Sequence, residues 1–417
     1  MPHAALLLLF GLVVWLSPKA RPKSCEISPF HDRAVFLADG SRFYVEPTAV
    51  SESRSKIFLA GVPNYVFPAR SHNGATLRNT LFGVIIDSEG LASPIPYPLA
   101  AGRVSDIRVV VLADGTWAST FAETDSSAGS GRDPTVAYWF GITNGDQWIT
   151  LERLPTVLGS LDPSRASALV RAGYALSIAL PLTHDERVDI ALYTLRNGSW
   201  QVRVVPTGPI SYVALASRAS GMLDAFLVYP DPAEASDANS LFWYVIDLDD
   251  SLITYKRLAR GGDEPIHEPV VAALGQTYVV AWNANMVAQR RSVTRYRILG
   301  PETGTTDTEL GVNSFQVIPV TAGLNTLIWL TLVLGEPSPG GTITFTQYET
   351  AGPVQVASRA NPFLGLFGAF ASDARTLIMI GPKLDKGRPY SHLIKADLNC
   401  RNTDTSMAVP RSATSRR

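Results

Sequence analysis

One seven-residue pattern recurs almost from end to end of this 417-residue chain, and it limits the possible folds more than any other feature. The stretch LFWYVID, Leu241 to Asp247, has relatives in LFGVIID from Leu81, AYWFGIT from Ala137, DIALYTL from Asp189, VTRYRIL from Val293, TITFTQY from Thr342 and SHLIKAD from Ser391. Successive copies start 56, 52, 52, 52, 49 and 49 residues apart. Their fourth place is always apolar: Val84, Phe140, Leu192, Tyr244, Tyr296, Phe345 and Ile394. A period near 50 in short, strand-like segments predicts a propeller, in which each repeat is one small sheet that buries its faces against its neighbours.

Each copy leads into a turn signal: Asp-Ser-Glu-Gly at 87 to 90, Asn-Gly-Asp-Gln at 144 to 147, Asn197-Gly198, Asp-Leu-Asp-Asp at 247 to 250. Asn-Gly suits a two-residue hairpin because both central positions need positive φ. The strands that follow, such as SWQVRVVP from Ser199, alternate apolar and polar residues as half-exposed outer strands do. More apolar, Ala- and Gly-rich segments precede the copies. They start at Ile57, Ile107, Ala168, Tyr212, Val270, Phe315 and Gly368, and read as inner hairpins covered on both faces. The expectation is an all-β chain forming a single β-propeller of seven four-stranded blades, spanning 25–400. The seventh copy has no strand pattern after it, so the leftover segment AVFLADGSRFYVEP, Ala34 to Pro47, is expected to close the ring from the amino-terminal side. Reading that segment as half of an eighth blade is the alternative.

The ends of the chain carry separate signals. AALLLLFGLVVWL, Ala4 to Leu16, is too short to span a bilayer as a helix but has the length of a secretory core, which predicts a signal peptide over 1–20 and a secreted or cell-surface protein. The two cysteines, Cys25 and Cys400, flank the repeats, and an exported ring would bring them together as a disulfide. The Ser, Thr and Arg-rich stretch 401–417 reads as a disordered tail. Asn197-Gly198-Ser199 is a glycosylation sequon in a turn, so Asn197 is the expected glycan carrier.

Net charge is −1, from 36 basic and 37 acidic residues, so no field favours nucleic acid, and no apolar run is long enough for a membrane span. In a propeller the turns within hairpins lie at one end of the ring. The links between second and third strands, and between blades, lie at the other. Those links hold most of the titratable residues, which points to a single functional face. Two clusters there suit acid–base work: His184, Asp185 and Glu186 with the cation Arg187, and Asp263, Glu264, His267 and Glu268. Catalytic candidates are therefore His184, Asp185, Glu186, His267 and Glu268. Binding candidates are Arg187, Asp263, Glu264, Arg290 and Arg291.

Asp125 and Asp133 follow no calcium-loop spacing, and no zinc pattern occurs, so neither metal nor cofactor is predicted. The Ser-x-Asp-x-Gly-x-Thr-Trp boxes of sialidase-type propellers and the WD and kelch signatures are absent. The sequence therefore favours a recognition module for a protein or glycan. A glycan hydrolase is the alternative, and a structural subunit of a surface assembly the second alternative. A hydrolase needs an axial pocket where carboxylates from several blades meet.

Overall fold

The computed structural model describes Cys25–Asn399 apart from short segments, chiefly 68–80, 97–102, 125–135, 162–166, 232–238, 262–265, 287–290, 301–307 and 322–326. Seven antiparallel sheets follow one another along the chain, and each of the seven repeat copies forms a blade's third strand. The fourth place of the repeat is a core position in every blade. Val84, Phe140, Leu192, Tyr244, Tyr296, Phe345 and Ile394 are all buried, none exposing more than 3% of its surface.

Blade 1 comprises Arg42–Ser53, Lys56–Phe67, Leu81–Ile86 and Leu91–Pro96, and blade 2 Arg103–Val111, Trp117–Thr124, Val136–Thr143 and Trp148–Arg153. Blade 3 is built from Ala168–Ala172, Ala175–His184, Arg187–Arg196 and Ser199–Val205. Tyr212–Ser217, Met222–Pro230, Asn239–Asp247 and Ile253–Ala259 form blade 4, and Ile266–Leu274, Thr277–Met286, Arg291–Leu299 and Thr308–Val312 form blade 5. Blade 6 uses Ser314–Thr321, Leu327–Gly335, Ser338–Glu349 and Gly352–Ala360. Blade 7 supplies three strands of its own, Gly368–Ser372, Thr376–Asp385 and Arg388–Asn399.

Two observations establish a closed ring. The first strands touch one another in cyclic order, blade 7 against blade 1 included, so they surround the axis. Each of the seven interfaces between neighbouring blades also has its own apolar cluster, from Phe58 and Trp117 between blades 1 and 2 round to Phe43 and Leu393 between blades 1 and 7. The sheets bury both faces, which is why their inner strands read as near-continuous apolar runs.

The ring is closed from the amino-terminal side, as expected, but by earlier residues. Glu26–Ile27 and His31–Ala34 both pair antiparallel with Arg388–Asn399 and complete blade 7. Of the segment from Ala34 to Pro47, Ala34 pairs in this ladder and the Val35 N–H donates to the Ser391 carbonyl at 3.2 Å. Its remainder bridges to blade 1 through Phe36–Leu37 and then enters that blade's innermost strand. Ile57 accordingly belongs to one long strand rather than opening a hairpin, and its partner runs back along Arg42–Ser53 through a turn at Arg54 and Ser55. Alternation favours AVFLADGSRFYVEP as a strand, whereas the closing strand HDRA is polar and largely exposed. Pairing to an open sheet edge needs backbone groups, not an apolar side-chain pattern.

Polar contacts fill in where that strand lacks apolar ones. Asp32 accepts from Lys383 and lies 3.0 Å from His392 Nδ1, and the Ser28 hydroxyl accepts from the Asp397 N–H at 2.7 Å. Cys25 and Ile27 are buried in the cluster between blades 6 and 7, and the Cys25 N–H donates to Gln347 Oε1. No free cysteine occurs among the described residues, and Cys400 lies outside them. The regions expected to be signal peptide and tail also lie outside the described residues.

Candidate functional site at the ring axis

The first strand of each blade pairs with the second through a hairpin. The end of the ring where the first strands begin is therefore also the end that carries the longer links. A cavity of about 390 Å³ opens there, lined by Arg108 of blade 2, Ser167, Ala168 and Leu169 of blade 3, Tyr212 and Val213 of blade 4, and Glu268 and Pro269 of blade 5. Four consecutive blades thus meet at one hollow.

The cavity exists because the inner strands break at one register position. In blade 2, Ser105 pairs with Ala122 and Arg108 with Thr120, so Asp106 and Ile107 together face Phe121 alone. In blade 5, His267 pairs with Asn283 and Val270 with Ala281, so Glu268 and Pro269 face Trp282. Phe140 and Tyr296, the repeat's fourth place, lie opposite Thr120 and Ala281, so the two bulges are structurally equivalent. Blade 3 breaks at the same level: Leu161 pairs with Leu182, and pairing resumes only at Ala168 with Ala179. An inner-strand bulge re-aims the chain and lifts side chains off the sheet face.

Both bulges place an acid in the left-handed region, Asp106 at φ 48° and Glu268 at φ 46°. A non-glycine residue held there costs on the order of 1 kcal/mol or more, and such strain collects at binding and catalytic sites. The two acids have different surroundings. The Asp106 side chain is 4% exposed and is held by the Arg108 Nη2 at 3.0 Å, the Tyr138 hydroxyl at 2.9 Å and the Ser167 N–H at 3.4 Å. Burial nevertheless raises its pKa above the ordinary carboxylate value, outweighing the Arg108 charge and these hydrogen bonds. Arg108 also donates from Nε to the Ser167 carbonyl at 2.8 Å and from Nη1 to the Ile107 carbonyl at 3.4 Å, which ties blade 2 to blade 3. Glu268 is exposed, beside Tyr212, whose phenol is raised by burial and secondarily by the Glu268 charge. The Tyr212 ring meets the His267 ring edge-on, 5.9 Å between centroids.

Of the sequence candidates, the structure brings His267 and Glu268 to this site. Both were read as part of an interblade link, and both belong to the first strand of blade 5. His184 and Arg187 form the last pair of a tight hairpin in blade 3, rather than standing in a long loop. Arg291 begins the third strand of blade 5. Asp185, Glu186, Asp263, Glu264 and Arg290 lie outside the described residues, as do Asp125 and Asp133. In blade 7 the second and third strands are likewise joined by a two-residue turn, closed by Asp385 and Arg388. Asn197 is exposed in its expected turn, with φ 50° followed by 77° at Gly198.

Asp106, Arg108, Ser167 and Tyr212 escaped the sequence reading, although one signal was present: an acid stands two residues before the resumed pairing in both blades, at Asp106 and Glu268. No group of metal-ligating side chains occurs among the described residues, and no helix among them is long and apolar enough to cross a membrane.

No family model and no curated protein matches the chain. Among solved structures it is similar to the Penicillium chrysogenum alpha-L-arabinanase complexed with arabinobiose. The TM-score is 0.51 at 14% identity, covering 71% of this chain and 93% of the arabinanase. It is also similar to the polysaccharide lyase Uly1, with a TM-score of 0.52 at 8% identity, covering 85% of this chain and 90% of the lyase. Likeness at that identity shows the propeller fold alone.

Proposed function

We propose that this chain is an exported recognition propeller that binds a saccharide in the axial pocket on its long-link face. The observation that carries this reading is the convergence of Arg108, Tyr212 and Glu268, from three blades, on one cavity of small-ligand size. A phenol ring offers an apolar face and a hydroxyl. A guanidinium and a carboxylate offer a donor and an acceptor. Sugars present C–H faces ringed by hydroxyls, and this set matches both properties. Two of the solved propellers it is similar to are an arabinanase and a polysaccharide lyase, which agrees with a glycan ligand.

Binding is favoured over hydrolysis by the state of the acids. Of the two bulge carboxylates, only Glu268 lines the cavity, while Asp106 is committed to Arg108, Tyr138 and Ser167. Hydrolysis of a glycosidic bond ordinarily uses two carboxylates that both reach the substrate.

Export is supported by the apolar run from Ala4 to Leu16 and by the cysteines. Cys25 is not a free cysteine and directly precedes the strand that pairs with Arg388–Asn399, which supports a bond to Cys400, the other cysteine of the chain. In this reading the bond clasps the closing strand.

Titration of the secreted protein against an oligosaccharide panel tests the function. The expected result is binding that is lost in Tyr212→Ala with the melting temperature retained, and lost also in Arg108→Ala, which should melt earlier because it strands the buried Asp106 carboxylate. Saccharide binding unaffected by both variants, or specific capture of a protein ligand that they do not disturb, would overturn it.

A further inference from the structure

We infer that the axial pocket selects a neutral saccharide and excludes uronates, with Glu268 as the specificity-determining residue that receives a pair of ligand hydroxyls. The inference rests on the saccharide-binding reading above and names the ligand class of that same cavity. It follows from how charge is distributed between the two equivalent bulges.

The Arg108 guanidinium is the only cation among the described lining residues, and three of its N–H groups are engaged by the protein. Nη2 faces Asp106 Oδ1 at 3.0 Å, Nε donates to the Ser167 carbonyl at 2.8 Å, and Nη1 donates to the Ile107 carbonyl at 3.4 Å. A fork-to-fork clamp on a ligand carboxylate needs two parallel N–H groups, and three of the five guanidinium N–H groups are already engaged by the protein, one on each nitrogen. Arg108 therefore works as a strut with residual donor capacity, not as an anion clamp.

Glu268 is placed the opposite way. It is exposed, it lines the cavity, and no cation among the described residues pairs with it. Its carboxylate is acceptor-only and can take two hydroxyl donors side by side, the geometry that a vicinal diol presents. A uronate would instead bring a second carboxylate beside it in a partly enclosed hollow, where like charges repel more strongly than in water. The backbone supports a functional role. Glu268 occupies a left-handed conformation that Gly would adopt without strain, so a glutamate there is maintained at the expense of stability.

The test is calorimetric titration of the full secreted protein with neutral pentose and hexose oligosaccharides and with oligogalacturonate, on wild type, Glu268→Gln and Glu268→Gly. The expected result is binding of a neutral oligosaccharide by wild type, no binding of oligogalacturonate, and affinity about tenfold weaker or lower in Glu268→Gln, the scale of one charge-assisted hydrogen bond. Glu268→Gly should also lose binding while its melting temperature rises by about 1 to 2 °C, which shows that the loss is not unfolding. Oligogalacturonate binding by wild type that disappears in Arg108→Ala would overturn this inference and leave the saccharide reading standing. So would neutral-sugar binding that both Glu268 variants retain. Absence of any saccharide binding would overturn the saccharide reading itself.

Discussion

The seam of the ring and the pocket quadrant solve opposite problems with the same residue types. At the seam, the acids are stabilised as anions. Asp32 has its pKa lowered, its burial more than offset by Lys383 and His392, and Asp385 is lowered chiefly by its hydrogen bond to Arg42. Arg42 in turn stacks over Phe36 at 5.1 Å and Tyr390 at 4.8 Å. At the pocket, the buried acid is destabilised as an anion, and both bulge acids stand in a strained backbone conformation. The seam joins the first and last segments of the chain and is built from contacts that favour closure. In the pocket quadrant, three inner strands give up ladder pairing to open a cavity.

The largest expected difference is at the seam. If Cys25 and Cys400 are bonded, the loop they close spans nearly the whole ring, and removing the bond by Cys25→Ser should lower stability by up to about 5 kcal/mol on chain-entropy grounds. Thiol labelling of denatured, unreduced protein should find no free cysteine. Two labelled thiols would show that the clasp is backbone pairing and ion pairs alone, and would make the seam the weaker region.

Second in size, Asp106→Ala should cost about 2 to 3 kcal/mol, because it strands the half-buried Arg108 charge and the Tyr138 hydroxyl. Glu268→Ala should stay within about 0.5 kcal/mol of wild type in denaturant unfolding, since nothing described pairs with that carboxylate. Equal costs would mean that the two bulges do the same structural work and that Glu268 is not reserved for a ligand.

Much of this comparison was legible in the sequence and part of it was not, for identifiable reasons. The blade count followed from the repeat because its fourth place is a packing position, and packing positions repeat faithfully where every blade meets an identical neighbour. Closure from the amino-terminal side followed from the missing fourth strand. The identity of the closing residues did not, because HDRA pairs through its backbone and its charges and shows no alternation. Asp106 was passed over because it stands one residue before the apolar run at Ile107, and a two-residue bulge leaves no mark on an alternating pattern. Arg108 and Tyr212 sat inside segments read as inner strands, where a polar atom facing the axis cannot be told from one facing a neighbouring blade. Glu268 was found only because it lies in a dense run of charge.

The pH dependence of stability should separate the regions by sign. Asp106 has a folded pKa above its unfolded value, so its contribution is fully present below the unfolded value near 3.8 and is lost as pH rises through the folded value. Asp32 has a folded pKa below its unfolded value, so its contribution is present above 3.8 and is lost as pH falls through the folded value. With a partly exposed carboxylate, the Asp32 effect should be under about 1 kcal/mol. Melting temperatures of wild type, Asp106→Asn and Asp32→Asn from pH 3 to 7 read this directly. Relative to Asp106→Asn, wild type should lose advantage going up in pH. Relative to Asp32→Asn, it should lose advantage going down. The same slope for both would remove the electrostatic contrast between seam and pocket.

The effect with the least bearing on either region belongs to a turn that serves neither. Asn197 and Gly198 link the third and fourth strands of blade 3, which puts them at the end of the ring away from the cavity. Gly198 has φ 77°, and a Cβ built there meets nothing within 4 Å, so Gly198→Ala has room for its methyl group and suffers only the backbone penalty. That penalty is about 1 kcal/mol, read as a shift in the unfolding midpoint, and ligand affinity should not change. The same exposure makes Asn197 accessible to glycosylation when the chain is expressed through a eukaryotic secretory route, and a mass loss on treatment with an N-glycosidase would register it. A glycan in this position lies far from the cavity rim, so the deglycosylated protein should bind as the glycosylated one does. Should affinity respond to either change, the opposite end of the ring takes part in binding, and the assignment of the functional face to the end where the inner strands begin would be wrong.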